Sequence, residues 1–395
     1  MKLIVVASLA LVCLLLIGCT PAPDFDARLS SIAKPHRFSF LRWESRTALH
    51  GLNQWLFGRH EKIDNGVQIV TEYFTAVEQM KNPKSNGNQV SSGAELKSLH
   101  ERKVALEDAV EEILARQIKE TLNEQGIFNP MNIRLRVTFP PPNFKLEKPP
   151  HLLVVSPRDR IESMREIVLR QYLSVGEMEA TETEVDKLGV SSLVLELGGL
   201  GATYPTFVTN DANLRFTLDT ATEEWVHQYL VFRPLGFRYL LDLIGVSRNY
   251  EIATMNETVA GMVSREIGAM VYHKYYSGYE NGSSQNQTEK SDFDFNREMR
   301  EIRRAVDRYL AQGEIEQAEE FMEQKRQYLA AKGYYIRKLN QAYFAFHGAY
   351  ADHLTSIDPI GAELRQLRSQ SASLKDFLNA VARMTSRQEL RESIK

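Results

Sequence analysis

Two carboxylates and an imidazole crowd the stretch Thr220–Leu230, which reads TATEEWVHQYL. Thr220 has the chemistry of a helix N-cap and apolar residues follow at helical spacing, which predicts a helix starting there. On a helical wheel Trp225, Val226, Tyr229, Leu230 and Phe232 share one arc, and Glu223, Glu224, His227 and Gln228 share the other. Glu223 and His227 are spaced i, i+4, so they project from one face a turn apart, with Glu224 beside them. A carboxylate and an imidazole so placed can grip one cation, and the neighbouring carboxylate can take a proton from water. A third ligand must come from elsewhere. Met255–Glu266 (MNETVAGMVSRE) offers Glu257 at the start of a second predicted helix, with Asn256 as its cap. Glu257, Gly261, Ser264 and Gly268 fall on one face of that helix. Three of those four are small, so the face can approach another helix closely.

The spacing matches the zinc-peptidase pattern H-E-x-x-H, with Glu223 in place of the first His. The two stretches resemble the gluzincin type of zinc peptidase, whose third ligand often lies in an N-E-x-x-A element, here Asn256-Glu257-Thr258-Val259-Ala260. More narrowly they are similar to the bacterial predicted zinc-dependent aminopeptidase lipoproteins, which pair H-E-x-x-H-Q-x-L with N-E-x-x-A. Here the first element reads Glu223-Glu224-Trp225-Val226-His227-Gln228-Tyr229-Leu230. The likeness extends over residues 191–385, through Leu339-Asn340-Gln341-Ala342 and a last helix with Leu374 and Phe377. It implies Glu223, His227 and Glu257 as metal ligands and Glu224 as the catalytic residue that activates a metal-bound water. The reaction it implies is hydrolysis of a peptide substrate, an aminopeptidase activity. A second carboxylate among the ligands makes the centre less positive, which weakens Lewis-acid catalysis and tilts metal choice from zinc toward manganese or iron.

Other readings of the same residues stay open. Thr220-Ala221-Thr222-Glu223 has the form of a capping box, in which Glu223 bonds back to the N-cap amide and needs no metal. The chain is then a catalytically inactive envelope lipoprotein that keeps the peptidase fold. Glu224-x-x-His227 also has the spacing found in carboxylate-bridged di-iron proteins, but that architecture needs the pattern twice and no second copy is evident.

The elements that must position these residues follow from the chain in order. Met1-Lys2, the apolar run Leu3–Ile17 and Leu16-Ile17-Gly18-Cys19 read as a lipoprotein signal peptide over 1–18 with a lipobox. Cys19 then carries lipid, palmitate included, and anchors the protein to a membrane of the cell envelope, facing outside the cytoplasm. Cys13 leaves with the signal, so no disulfide remains. Residues 19–130 form a helical N-terminal region. It has a tether at Pro21–Asp26, a helix over Phe38–Met80 bearing Trp43 and Trp55, a polar loop at Asn82–Gly93, and a helix over Ala94–Gln125 stopped by Gly126. The charged run Glu107–Glu120 reads as a solvated face.

Residues 131–395 form a zincin-like domain with C-terminal helices. Strands are predicted at Ile133–Phe139, Leu152–Val155, Ser191–Leu197 and within Gly198–Val208, and a helix at Asp159–Tyr172. By analogy with zinc peptidases, Gly199–Thr206 is the strand a substrate would lie along; a glycine-rich bend in the core is the plainer reading. Tyr204 reads as packing or as facing the site. A short helix near Phe237–Ile244 joins the two motifs, an exposed loop follows at Ser277–Asp292, and helices are predicted at Phe293–Leu310, Gly313–Lys332 and Tyr334–Tyr350. His347 and His353 read as structural.

The resulting fold class is α+β, mainly helical, with a small mixed sheet and long flanking helices. A net charge of −3 with no basic patch interleaved with aromatics argues against nucleic acid as a partner.

Overall fold

Long apolar-faced helices and two small sheets build the computed structural model, which describes residues 25–40, 65–82, 93–131, 136–279 and 293–395. The N-terminal part holds α1 (Phe25–Ala33), α2 (Gly66–Lys81) and α3 (Gly93–Glu124). The middle runs β1 (Phe144–Leu146), β2 (His151–Pro157), β3 (Arg165–Leu169), α4 (Val175–Asp186), β4 (Val190–Glu196), β5 (Gly199–Leu200) and β6 (Thr206–Val208). Then come α5 (Leu214–Leu230), α6 (Pro234–Leu243) and α7 (Tyr250–Tyr276). The chain continues through α8 (Phe295–Ala311), α9 (Ile315–Ala331), α10 (Gln341–Gly348), α11 (Pro359–Gln370), α12 (Leu374–Val381) and α13 (Arg387–Ser393). The protein is thus α+β and mainly helical. Among the described residues no helix is long and apolar enough to cross a membrane. The signal segment, Cys19, Trp43, Trp55, most of the loop at Asn82–Gly93 and most of that at Ser277–Asp292 lie outside the described residues.

The main core gathers buried side chains of α2, α3, α5, α7, α11 and α12, with Phe144 of β1 and Val208 of β6, so it spans both sides of residue 130. Gly126, at φ +70°, closes α3 in the left-handed conformation expected of a helix-stopping glycine. The charged run on α3 departs from its expected solvated role at one point. Glu111 is buried and accepts from Lys145 Nζ at 2.7 Å and from the Leu146 N–H at 2.8 Å, which fastens β1 to the helix.

One sheet has the order β1-β6-β5, with β1 parallel to β6 and β5 antiparallel to it. The other has the antiparallel order β3-β2-β4. Its central strand β2 is buried along its whole length. Leu153 and Val155 face a cluster with α1 and α4, while Leu152 and Val154 face Ala342 and Phe346 of α10. That two-sided cover explains an unbroken apolar run rather than an alternating one.

Several expectations are corrected. Asp159–Tyr172 is not a helix: Arg165–Leu169 pairs antiparallel with β2, from Val155↔Arg165 to His151↔Leu169. The β-branched pair Ile167-Val168 fits that half-covered surface, and pairing overrides a helical period. Ile133–Phe139 is no strand over its described part, Arg136–Phe139. Tyr334–Tyr350 is helical only from Gln341 to Gly348, because Asn340 caps it, accepting from the Tyr343 N–H at 2.9 Å. The tether does not reach Asp26, which lies in α1 and pairs with Arg165. Helix α4, with its Ser174–Glu177 capping box, has no counterpart in the sequence reading.

The helix carrying Glu223 begins earlier than Thr220 suggests. Asn213 is the N-cap, its Oδ1 accepting from the Phe216 N–H at 2.8 Å. Leu214, Leu218 and Ala221 extend the buried arc of Trp225 backward, and that burial recruits the extra turns. Asn213→Ala is expected to cost about 1 kcal/mol of folding stability in denaturant titration. A change within experimental error would contradict Asn213 as the cap.

Candidate metal centre

α5 and α7 pack along one another, closely at Gly268. Gly261 and Ser264 are buried, and a Cβ on Gly268 would collide with Asp219 Oδ1 on α5. The apolar arc of α5 (Trp225, Val226, Tyr229 and Leu230) is buried in the main core, and Trp225 Nε1 donates to Pro140 O at 2.6 Å. Phe232, placed on that arc by the wheel, lies past the helix end and is exposed. The polar arc consequently faces α7 and the strand β5 rather than bulk water.

Across this contact one donor atom each from Glu223, His227 and Glu257 lies within 4.8 Å of the others, and all three side chains are half-buried. The structure thus brings together the three residues singled out as ligands. His227 Nε2 stands 3.6 Å from Glu257 Oε2. On its other side His227 Nδ1 is 2.8 Å from Asn256 Oδ1, an acceptor, so Nδ1 bears hydrogen and Nε2 is turned toward Glu257. Asn256, fully buried, is therefore not a helix cap as expected. Helix α7 begins at Tyr250 under the cap of Asn249, and Asn256 orients the imidazole. A ligand imidazole held through its far nitrogen is the usual support of a metal-bound histidine.

The capping-box account of Glu223 fails on the same geometry. Thr220 is inside the helix and its neighbours' N–H groups bond along the helix, so Glu223 has no free amide to cap. Among the described residues no second cluster of this kind occurs, so the duplicated di-iron pattern has no counterpart.

Two phenols that sequence reasoning missed orient Glu257. Tyr239, from α6, donates to Glu257 Oε1, and the Tyr350 hydroxyl also bonds the carboxylate. A lone Tyr gives no signal of this kind in sequence; only the fold carries α6 and the segment after α10 to the site. Arg265, two turns beyond Glu257, lies in the field of Glu223 and pairs with Asp352. Glu224 is enclosed by backbone. Gly201 N–H bonds its carboxylate, a Cβ on Gly201 would stand 2.6 Å from Glu224 Oε2, and one on Gly199 would collide with Oε1. Gly199 and Gly201 thus allow β5 to lie on the acid. Tyr204 is packing: its hydroxyl donates to Pro141 O at 3.3 Å.

The electrostatics are those of an acidic pocket around one base. Burial raises Glu223 to about 7, with His227 opposing and Glu257 adding. Burial likewise raises Glu224 to about 8. For His227 burial works against the charged ring, but Glu257, Glu224 and Glu223 together outweigh it and lift the ring to about 10. Burial opposes the ionised form of Glu257 as well, yet His227 and the two phenols hold its carboxyl below the ordinary value. These fields favour a proton on His227 Nε2 opposite Glu257, where a cation would stand. Two carboxylate oxygens and an oriented imidazole nitrogen are a donor set that fits a divalent cation.

Comparison of the chain with protein-family models, curated proteins and solved structures finds no match.

Cation uptake must displace the His227 proton, and Glu223 must be ionised. Apparent affinity is accordingly expected to rise with pH between 6 and 8, by up to about tenfold per unit for each proton released. Isothermal titration at several pH values checks this, and pH-independent affinity would contradict it. Asn256→Leu should weaken binding of the same cation by roughly 10–100-fold, since the ring loses its orientation.

Proposed function

We propose that this protein is a metal-dependent peptidase of the cell envelope, tethered to a membrane through lipid on Cys19 and acting on peptides outside the cytoplasm. The observation that carries the reading is the convergence of Glu223, His227 and Glu257 from two helices, with Glu224 beside them. A divalent cation held by Glu223, His227 and Glu257 would supply Lewis acidity at this site. Glu224 would take a proton from the attacking water as its oxygen bonds to the peptide carbonyl carbon, and would return that proton to the amine as the C–N bond breaks. Burial pushes the Glu224 carboxyl above the ordinary range, which strengthens its hold on a proton accepted from water until the leaving amine takes it. The Gly201 N–H and the glycine backbone at 199–201 hold its carboxylate in place. Among the described residues β5 pairs with β6 alone, but only Gly199–Leu200 of the expected substrate strand is extended. Residues 201–205 turn back into β6, and the Gly201 and Thr203 carbonyls accept from Gln228, so the backbone offered to an extended peptide is confined to β5.

Zinc is the metal the motif spacing favours. The two-carboxylate set also suits manganese or iron. The aminopeptidase assignment rests on the resemblance of the two motifs. Glu223 also supports a second reading, an inactive lipoprotein with an occupied centre, because a ligand carboxylate in place of imidazole reduces the charge that activates water.

Glu224→Gln is expected to lower peptide hydrolysis by about 10²–10⁴-fold while one equivalent of metal stays bound. Mass spectrometry of a digested peptide library, with metal analysis of the same samples, measures both. Metal without hydrolysis in the unsubstituted protein would favour the inactive reading.

A further inference from the structure

A second concave site lies apart from the metal ligands, between α8, α10, the first turn of α7 and the segment 355–359. It is a cavity of about 230 Å³, room for several water molecules. That is below the size of a drug-like pocket but ample for a fragment-sized molecule.

Its cation is Arg303, a mostly buried side chain. Asp307 takes only one edge of the guanidinium: Arg303 Nε donates to both Asp307 oxygens, at 3.0 and 3.1 Å. Neither η nitrogen has a hydrogen-bond partner among the described residues. The guanidinium also lies over the Phe344 ring, 5.8 Å from its centroid, so two contacts aim it. A planar fork held along one edge and open along the other is the arrangement that grips an oxyanion with paired N–H groups.

The rest of the wall supports that reading. Gly348 leaves room for two donors to converge, since a Cβ there would stand 2.9 Å from the Tyr250 hydroxyl and 3.3 Å from Arg303 Nη1. Ser356 Oγ accepts from the Asp358 N–H at 3.2 Å, which leaves its own hydrogen to donate. The single lining carboxylate, Asp358, is engaged as the cap of α11, accepting from the Ile360 N–H at 2.9 Å. Met299 and Phe344 supply apolar surface beside the donors.

The geometry points to a binding site for a small organic oxyanion, a carboxylate or phosphate head on a compact apolar body, with Arg303 as its anchor. The head meets the Arg303 η nitrogens and the hydroxyls of Tyr250 and Ser356, and the body packs on Met299 and Phe344. This site is independent of the metal centre and of the peptidase reading.

Isothermal titration of the purified full-length protein with phenyl phosphate, benzoate and neutral benzyl alcohol tests it. Saturable binding of one equivalent of at least one anion is expected, weakened tenfold or more in Arg303→Met and unchanged in Arg326→Met, a surface arginine paired with Glu323. Benzyl alcohol should bind at least tenfold more weakly than the better anion. Should Arg303→Met prove unstable by circular dichroism, Arg303→Lys keeps the charge without the fork and is expected to lose affinity as well. Saturable binding of neither anion, affinity untouched by either Arg303 substitution, or equally tight binding of benzyl alcohol would overturn the proposal.

Discussion

The close approach of two helices is the constraint on which the candidate centre depends. Glu257 reaches His227 because α7 packs along α5, with Gly268 leaving room for Asp219 Oδ1 at the contact. A larger residue at 268 would force the Asp219 carboxylate out of its place between the helices. The opposite face of each helix is buried in the main core, so the two are pressed together by apolar burial on their far sides. The polar cluster is then carried into a half-dry pocket, where unsatisfied charge is costly unless it is paired or neutralised.

How the pocket meets that cost links packing to chemistry. Glu257 stays ionised because an imidazolium and two phenols face it, while Glu223 and Glu224 hold their protons more tightly than free carboxyls do. A cation is the charge that would allow all the acids to ionise together. Support comes from distant parts of the chain: Asn256 from the ligand helix itself, Tyr239 from α6, Tyr350 from the segment after α10, and the glycine backbone at 199–201. That segment after α10 is itself pinned to α7, since Thr258 Oγ1 donates to Ala349 O and accepts from the Ala351 N–H. Each support fixes a side chain whose own rotamers would otherwise scatter the donors.

The cluster was legible in sequence because its information is local. An i, i+4 pair shares a face wherever the helix starts, so a start at Asn213 rather than Thr220 leaves Glu223 and His227 in the same relation. The small-residue face of α7 was equally plain from spacing. What stayed hidden was nonlocal. Asn256 looked like a cap because Asn often is one, and only the turns before it, from Tyr250, show otherwise. Arg165–Leu169 became a strand because β2 lay ready to pair with it, a fact absent from its own period. Tyr239, Tyr350 and Arg303 carry no motif, and their roles arise from which helices meet.

The central claim is that Glu223, His227 and Glu257 together hold one cation. Anomalous diffraction from crystals of the metal-loaded protein tests it most directly. The account predicts a single peak between the three side chains, with metal–nitrogen and metal–oxygen distances of about 2.0–2.2 Å. A peak elsewhere, or none at saturating metal with the His227–Glu257 pair intact, would contradict it.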